Sequence, residues 1–109
     1  MRALINDAEN FTNKIKFNNL VALCKQKIED CIINDRLIVI SASNSCVEMR
    51  NTILIEDCEC NEEDICLNDG NFELHLKIND IEKAAYDDTC DEYFTFIYKD
   101  GTEINLCFL

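Results

Sequence analysis

Apolar positions first recur along the chain at helical spacing. Over residues 17–32 they fall three or four residues apart, and Lys, Gln, Glu and Asp fill the other positions. This spacing predicts an amphipathic helix whose apolar stripe covers one face of a sheet. The stripe consists of Phe17, Leu20, Val21, Cys24, Ile28 and Cys31. A shorter helical stretch, about residues 7–16, is predicted before it, because Phe11 and Ile15 lie one turn apart.

From residue 36 the period of the pattern changes to two, which indicates strands. A short apolar strand is predicted over 36–42, and a longer one over about 46–57. Val47, Met49, Ile53 and Ile55 are predicted to share one face of the longer strand. A strand with one wet face is predicted over 72–78. Residues 79–87 fit either a short helix or another strand.

The two glycines of the chain, Gly70 and Gly101, each follow an aspartate and mark two hairpins. At Gly70 a two-residue type I′ loop would pair Leu67 with Phe72 and Ile65 with Leu74.

At Gly101 a three-residue loop is favoured, because it pairs Phe96 with Ile104 and Phe94 with Leu106, apolar against apolar. Together these elements predict a single α+β domain over residues 1–109. One or two N-terminal helices pack on a mostly antiparallel sheet of five or six strands.

Charge is distributed unevenly along the chain, whose formal net charge is −12. Residues 1–50 carry seven basic and six acidic side chains, a net of +1, whereas residues 51–109 carry three and 16, a net of −13. The excess acidic residues form two clusters that contain no basic residue. The members of both clusters are candidate partner-binding residues. The first comprises Glu56, Asp57, Glu59, Glu62, Glu63 and Asp64, and the second Asp87, Asp88, Asp91 and Glu92.

The eight cysteines are expected to be reduced thiols, mostly buried as small hydrophobic residues, in a cytoplasmic protein without a signal peptide or membrane span. For a zinc site, only Cys58 and Cys60 followed by Cys66 come near the usual ligand spacing. Residues 87–92 lack the glycine and spacing of a calcium loop. His75, the one histidine, is the only base available to a cysteine nucleophile. No enzymatic activity, metal or cofactor is therefore predicted.

The size, the charge and the closing hairpin over residues 93–104 (YFTFIYKDGTEI) resemble the small acidic proteins that phages make against host defences, including many anti-CRISPR proteins. The resemblance implies an inhibitor that occupies the nucleic-acid channel or the motif-reading site of a nuclease, in the host cytoplasm.

Three alternatives stay open: an immunity protein that neutralises a nuclease toxin, a small zinc- or calcium-binding structural protein, and a helper subunit that binds through an exposed strand edge or aromatic face. The main hypothesis is a non-enzymatic nucleic-acid mimic. Its two acidic clusters would dock on a basic nucleic-acid-binding protein, such as a CRISPR effector or another nuclease. Direct binding to nucleic acid or to a membrane is not expected, because the net charge would oppose it.

Overall fold

The computed structural model of the protein describes residues 2–5, 11–88 and 91–109, with side chains described from residue 16 onward. Its elements are, in chain order, β1 (Arg2–Ile5), α1 (Phe11–Ile33), β2 (Leu37–Ser43), β3 (Glu48–Leu54), β4 (Asp57–Cys60), β5 (Asp64–Asn68), β6 (Glu73–Lys77), a 3₁₀ turn (Ile78–Asp80), β7 (Ile81–Asp87), β8 (Glu92–Tyr98) and β9 (Glu103–Phe108). None of the helices within these ranges is long and apolar enough to cross a membrane.

The strands form two antiparallel sheets. The six-stranded sheet has the order β1-β7-β8-β9-β2-β3, and the small sheet has the order β4-β5-β6. Helix α1 packs against β1 and β7 of the larger sheet and against β4 of the small one. The predicted α+β architecture is therefore confirmed. The second sheet was not predicted, because the strand expected over 46–57 is broken between β3 and β4.

Helix α1 buries the stripe that its sequence predicts, since all six apolar residues of that stripe are buried. It is one continuous helix. Residues 11–16, assigned to a separate helix from the sequence, form its first turns, and residues 7–10 of that prediction lie outside the described residues. The apolar spacing of three and four residues continues across residue 17, so no break was required.

The larger sheet turns one apolar face toward α1. On β8 and β9 the alternating residues Phe94, Phe96, Leu106 and Phe108 are almost completely buried. The rings of Phe94 and Phe108 meet edge to face with centroids 5.6 Å apart, a favourable aromatic geometry. Of the four residues predicted to share one face of the strand over 46–57, Ile53 and Ile55 are buried, whereas Val47 and Met49 are exposed.

The hairpin at Gly101 forms with the predicted register. Phe96 pairs with Ile104 and Phe94 with Leu106. Gly101 has a φ of 91°, the left-handed conformation that favours glycine. Local turn chemistry and apolar pairing require the same register here, so the sequence prediction holds.

The hairpin at Gly70 differs from the prediction by two residues, since Leu67 pairs with Leu74 rather than with Phe72. The loop is longer because the Asp69 carboxylate accepts the backbone N–H groups of Asn71 and Phe72, at 2.9 and 2.6 Å. A shift of two keeps every side chain on its predicted face. Residues 79–87, left open from the sequence, form the end of the 3₁₀ turn and then strand β7.

Candidate functional site

The polar face of the small sheet brings together four chemically reactive side chains. Cross-strand pairing places Cys66 of β5 directly opposite His75 of β6. Asp64 precedes Cys66 by two residues and Glu73 precedes His75 by two, so all four share one face. We call them the His75 cluster. Cys66 is buried, whereas Glu73 and His75 are exposed at the edge of this face.

Each ring nitrogen of His75 faces an acidic residue. Nδ1 lies 3.1 Å from Asp64 Oδ2, and Nε2 lies 3.3 Å from Glu73 Oε1. The Cys66 Sγ lies 3.7 Å from Nε2 and 3.2 Å from Glu73 Oε1. His75 is therefore held by Asp64 on one side and turned toward a thiol and a carboxylate on the other.

Cys66 is not set up as a nucleophile, although a histidine lies beside it. Burial, the hydrogen bond of the thiol to Glu73, and repulsion of the thiolate by Glu73, Asp64 and Glu59 together raise the pKa of Cys66 to about 11. A reactive cysteine needs the opposite shift, because the thiolate is the attacking species. In the absence of a bound cation, Cys66 stays protonated.

The pKa of His75 is raised, chiefly by its hydrogen bond to Asp64, with a further contribution from Glu73. Because the folded pKa is above the usual value of about 6.5, any stabilisation by protonated His75 is present below that value and is lost as pH rises through the folded pKa. We expect Asp64→Asn to lower the pKa of His75, measured from the ring proton shifts by NMR.

Glu62→Gln is the control for this change, because Glu62 is exposed in the β4–β5 turn, whereas the shift of His75 comes from Asp64 and Glu73. It should leave the titration of His75 unchanged. An unchanged His75 pKa in Asp64→Asn would contradict the contact between the two side chains. The single histidine of the chain makes its signal unambiguous.

The three cysteines considered for zinc do not meet on one face. Glu59 pairs with Cys66, so Cys58 and Cys60 point to the opposite side of the small sheet from Cys66. The Sγ atoms of Cys58 and Cys60 lie 3.3 Å apart. Burial and the hydrogen bond to Cys60 raise the pKa of Cys58 to about 12. The seven cysteines of the described residues are free thiols, as predicted.

A cleft of about 410 Å³ opens beside the His75 cluster, between β6 and the β8–β9 hairpin. Its floor includes the half-buried ring of Tyr98 and the side chain of Ile104, and its rim carries both cations and carboxylates. Its lining residues are His75, Lys77, Asp80, Tyr98, Lys99, Asp100, Thr102 and Ile104. Apart from His75, the sequence interpretation singled out none of them for a site.

Two buried oxygen atoms near the cleft lack well-formed hydrogen bonds to described residues. They are the Tyr98 hydroxyl and Oδ1 of Asp64. Burial raises the pKa of Tyr98 to about 12, with Asp80 and Asp64 adding to the increase and the Lys77 backbone opposing it. Tyr98 therefore remains a neutral phenol with a hydrogen to donate.

The two acidic clusters lie in different sheets. The first runs from Glu56 through β4 to Asp64 in β5, and the second spans the end of β7 and the start of β8. Lys25 of α1 donates to the Asn61 carbonyl at 3.0 Å, and Lys27 pairs with Glu92 at 2.8 Å. Residues two apart on a helix point about 200° away from each other. Lys25 and Lys27 therefore reach toward the two clusters from opposite sides of α1.

Most of the predicted partner-binding carboxylates are exposed, although several of them also interact within the protein. Glu56, Asp57, Glu59, Glu62, Glu63, Asp88 and Asp91 are exposed, and Asp87 is half-buried. Asp64 holds His75, and Glu92 pairs with Lys27. Nothing in the fold tests binding of a partner by the exposed members, which stays a prediction.

Comparisons with known proteins identify the fold but no family. No protein-family model matches the chain, and no curated protein matches it. Among solved structures, apo-PhuS, a heme-binding protein from Pseudomonas aeruginosa, matches with a TM-score of 0.61 and 16% identity over 77% of this chain. Two structures of ChuX, a heme-binding protein, match with TM-scores of 0.58 and 0.54, at 8% and 11% identity, over 97% and 99% of the chain.

The chain spans only part of these proteins, 26% of PhuS and 61% and 62% of the two ChuX chains. The prediction of a nucleic-acid mimic that inhibits a nuclease is wrong, because the structural neighbours are heme-binding proteins. The physical reason for the error is that net charge constrains which partners are attracted but does not determine a fold or a site. The anti-CRISPR resemblance, which no comparison tests, stays a prediction.

Proposed function

We propose that this chain binds heme in the cleft between β6 and the β8–β9 hairpin, with His75 as the iron ligand. The observation that carries the proposal is that the one histidine of the chain lines the cleft while a carboxylate holds its ring. Asp64 holds Nδ1 of the ring at 3.1 Å, which leaves Nε2 as the nitrogen that would bind iron. The His75 side chain is part of the cleft lining. The heme-binding proteins that share the fold support the choice of ligand.

The donor residues fit this group. Histidines that bind metals usually donate their second ring N–H to a carboxylate, which fixes the ring and increases its basicity. Asp64 occupies that position on His75. Glu73, whose side chain is 61% exposed, is the carboxylate that would have to leave Nε2, and an exposed side chain can rotate away at little cost. Tyr98 is unsuited as an iron ligand, because its raised pKa keeps it a neutral phenol.

The rim of the cleft also fits a dianionic porphyrin. Lys77 and Lys99 both line it and offer cations for propionate groups, while Tyr98 and Ile104 supply the apolar floor. Bound heme would supply an iron centre, which the imidazole of His75 would hold. A cleft of about 410 Å³ lies in the lower part of the range for ligand sites, roughly 300–1,000 Å³. Part of the heme would stay exposed to solvent, which favours reversible binding.

Titration of the protein with hemin tests this proposal. We expect a saturable 1:1 shift of the Soret band, and clearly weaker binding of iron-free protoporphyrin. Lys77→Glu/Lys99→Glu should weaken hemin binding by about tenfold or more, equivalent to about 1.4 kcal/mol. The control, Lys16→Glu/Arg50→Glu, changes the net charge equally at exposed positions outside the cleft.

Two results would overturn the proposal. One is the absence of a saturable shift with the wild-type protein. The other is an equal loss of affinity in the two double variants, since that would assign the effect to net charge rather than to the cleft.

A further inference from the structure

Cys66, Glu73 and His75 form a constellation that heme binding does not use in full. Their ligand atoms, a sulfur, a carboxylate oxygen and an imidazole nitrogen, all lie within 4.8 Å of one another. We propose that these three residues bind Zn²⁺ and leave the fourth coordination position open. This goes beyond heme binding, because it assigns a second ligand class to the His75 cluster.

The distances between the ligand atoms already approach those of a zinc site. With the usual bond lengths, a tetrahedral Zn²⁺ holds S, N and O ligands about 3.3–3.6 Å from one another. The observed separations are 3.2 Å from Cys66 Sγ to Glu73 Oε1, 3.3 Å from Glu73 Oε1 to His75 Nε2, and 3.7 Å from Cys66 Sγ to His75 Nε2. An ion at their centre would need only small side-chain rotations.

The surroundings of the histidine supply a second, independent feature of a metal site. Asp64 accepts a hydrogen bond at Nδ1 of His75, as in carboxylate–histidine–zinc arrangements. Its other oxygen, Oδ1, is buried and has no hydrogen-bond partner among the described residues. A buried carboxylate oxygen without a hydrogen bond is costly, and a cation bound nearby would lower that cost.

The donor set selects zinc among the common metal ions. Mg²⁺ and Ca²⁺ take oxygen ligands, whereas a thiolate with an imidazole suits Zn²⁺. Three protein ligands with a fourth position free for water or an exogenous ligand are typical of reactive zinc sites, not of structural ones. Glu73 and His75 are exposed, so the fourth position is accessible from solvent. On binding, Cys66 loses its proton to solvent and becomes a thiolate ligand.

Zinc and heme would compete, because both use Nε2 of His75. Separate variants can nevertheless disprove either proposal without affecting the other. Cys66→Ser and Glu73→Gln should weaken zinc binding and preserve hemin binding, whereas Lys77→Glu/Lys99→Glu should weaken hemin binding and preserve zinc binding.

The test is a zinc titration of the reduced protein against a chromophoric chelator. We expect one equivalent of Zn²⁺ per chain, with affinity weakened at least tenfold by Glu73→Gln and by Cys66→Ser. The matched controls are Glu82→Gln, an exposed carboxylate on β7, and Cys58→Ser/Cys60→Ser, the thiol pair on the opposite face. Both controls should retain wild-type affinity. With Co²⁺ as the probe, the sulfur-to-metal charge-transfer band should vanish only in Cys66→Ser.

The proposal is overturned if the wild-type protein binds no stoichiometric zinc, or if the Cys58/Cys60 variant loses it. Cys66 is buried, so its serine variant must first give a wild-type circular dichroism spectrum. If it does not fold, Glu73→Gln decides the question, because this exposed side chain can change without disturbing the core. Unchanged zinc affinity in Glu73→Gln then rejects the site.

Discussion

Replacing Ile28 with alanine should lower the free energy of unfolding by about 3 kcal/mol, within the range of roughly 2–5 kcal/mol for large-to-alanine changes in cores. Ile28 is fully buried on the inner face of α1 and belongs to the core cluster that includes residues of both sheets. Alanine leaves a cavity there and removes apolar contacts, while its high helix propensity offsets only a few tenths of this loss.

Ile33→Ala provides a matched control on the same helix. Ile33 is 76% exposed, so the same chemical change should alter stability by less than about 0.5 kcal/mol. Urea unfolding followed by circular dichroism measures both, and the m value should not change. Equal losses in the two variants would mean that α1 does not pack through the face described.

Replacing His75 with alanine should remove both proposed ligand activities at once. We expect hemin affinity to fall about 100-fold and zinc affinity by at least tenfold, because the same Nε2 serves both ligands. The stability of the protein should change by less than about 1 kcal/mol, since the side chain is half exposed and exposed ion pairs contribute little.

Added imidazole distinguishes loss of a ligand from a structural change. It should restore a wild-type-like Soret band in His75→Ala, because a free imidazole can occupy the vacated position at the iron. The conservative change His75→Gln should behave like alanine, as an amide is a poor iron ligand. A wild-type hemin spectrum in His75→Ala would reject His75 as the ligand and, with it, the proposed function.

Much of the His75 cluster was contained in the sequence. Residues 64 and 66 on one strand and 73 and 75 on the next share a face in both the predicted and the observed register, because a shift of two preserves the side of the sheet. The pairing partners differ, however. The predicted loop places Cys66 opposite Glu73, whereas the Asp69 turn places it opposite His75. The conformation of the loop at Asp69 therefore determines that Cys66 Sγ lies close to His75 Nε2.

The cleft could not be predicted in the same way. His75 and Lys77 come from the small sheet, and Tyr98 and Lys99 from a hairpin of the larger one. The spacing of apolar residues within one strand or helix does not predict the distance between two sheets. That distance depends on how α1 and the apolar faces pack, and therefore on side chains far apart in the chain.

The sequence by itself determined helix α1, the Gly101 hairpin and the α+β class, because these follow from spacing along one segment and from local turn chemistry. It also determined that the C-terminal half carries a net charge of −13. Only the tertiary structure decided where that charge lies. It places the two acidic clusters in different sheets, where Lys25 and Lys27 reach toward them from opposite sides of α1, and leaves Asp64 holding the one histidine. Charge adds up along a chain, whereas a site requires positions in space, and those are fixed by packing.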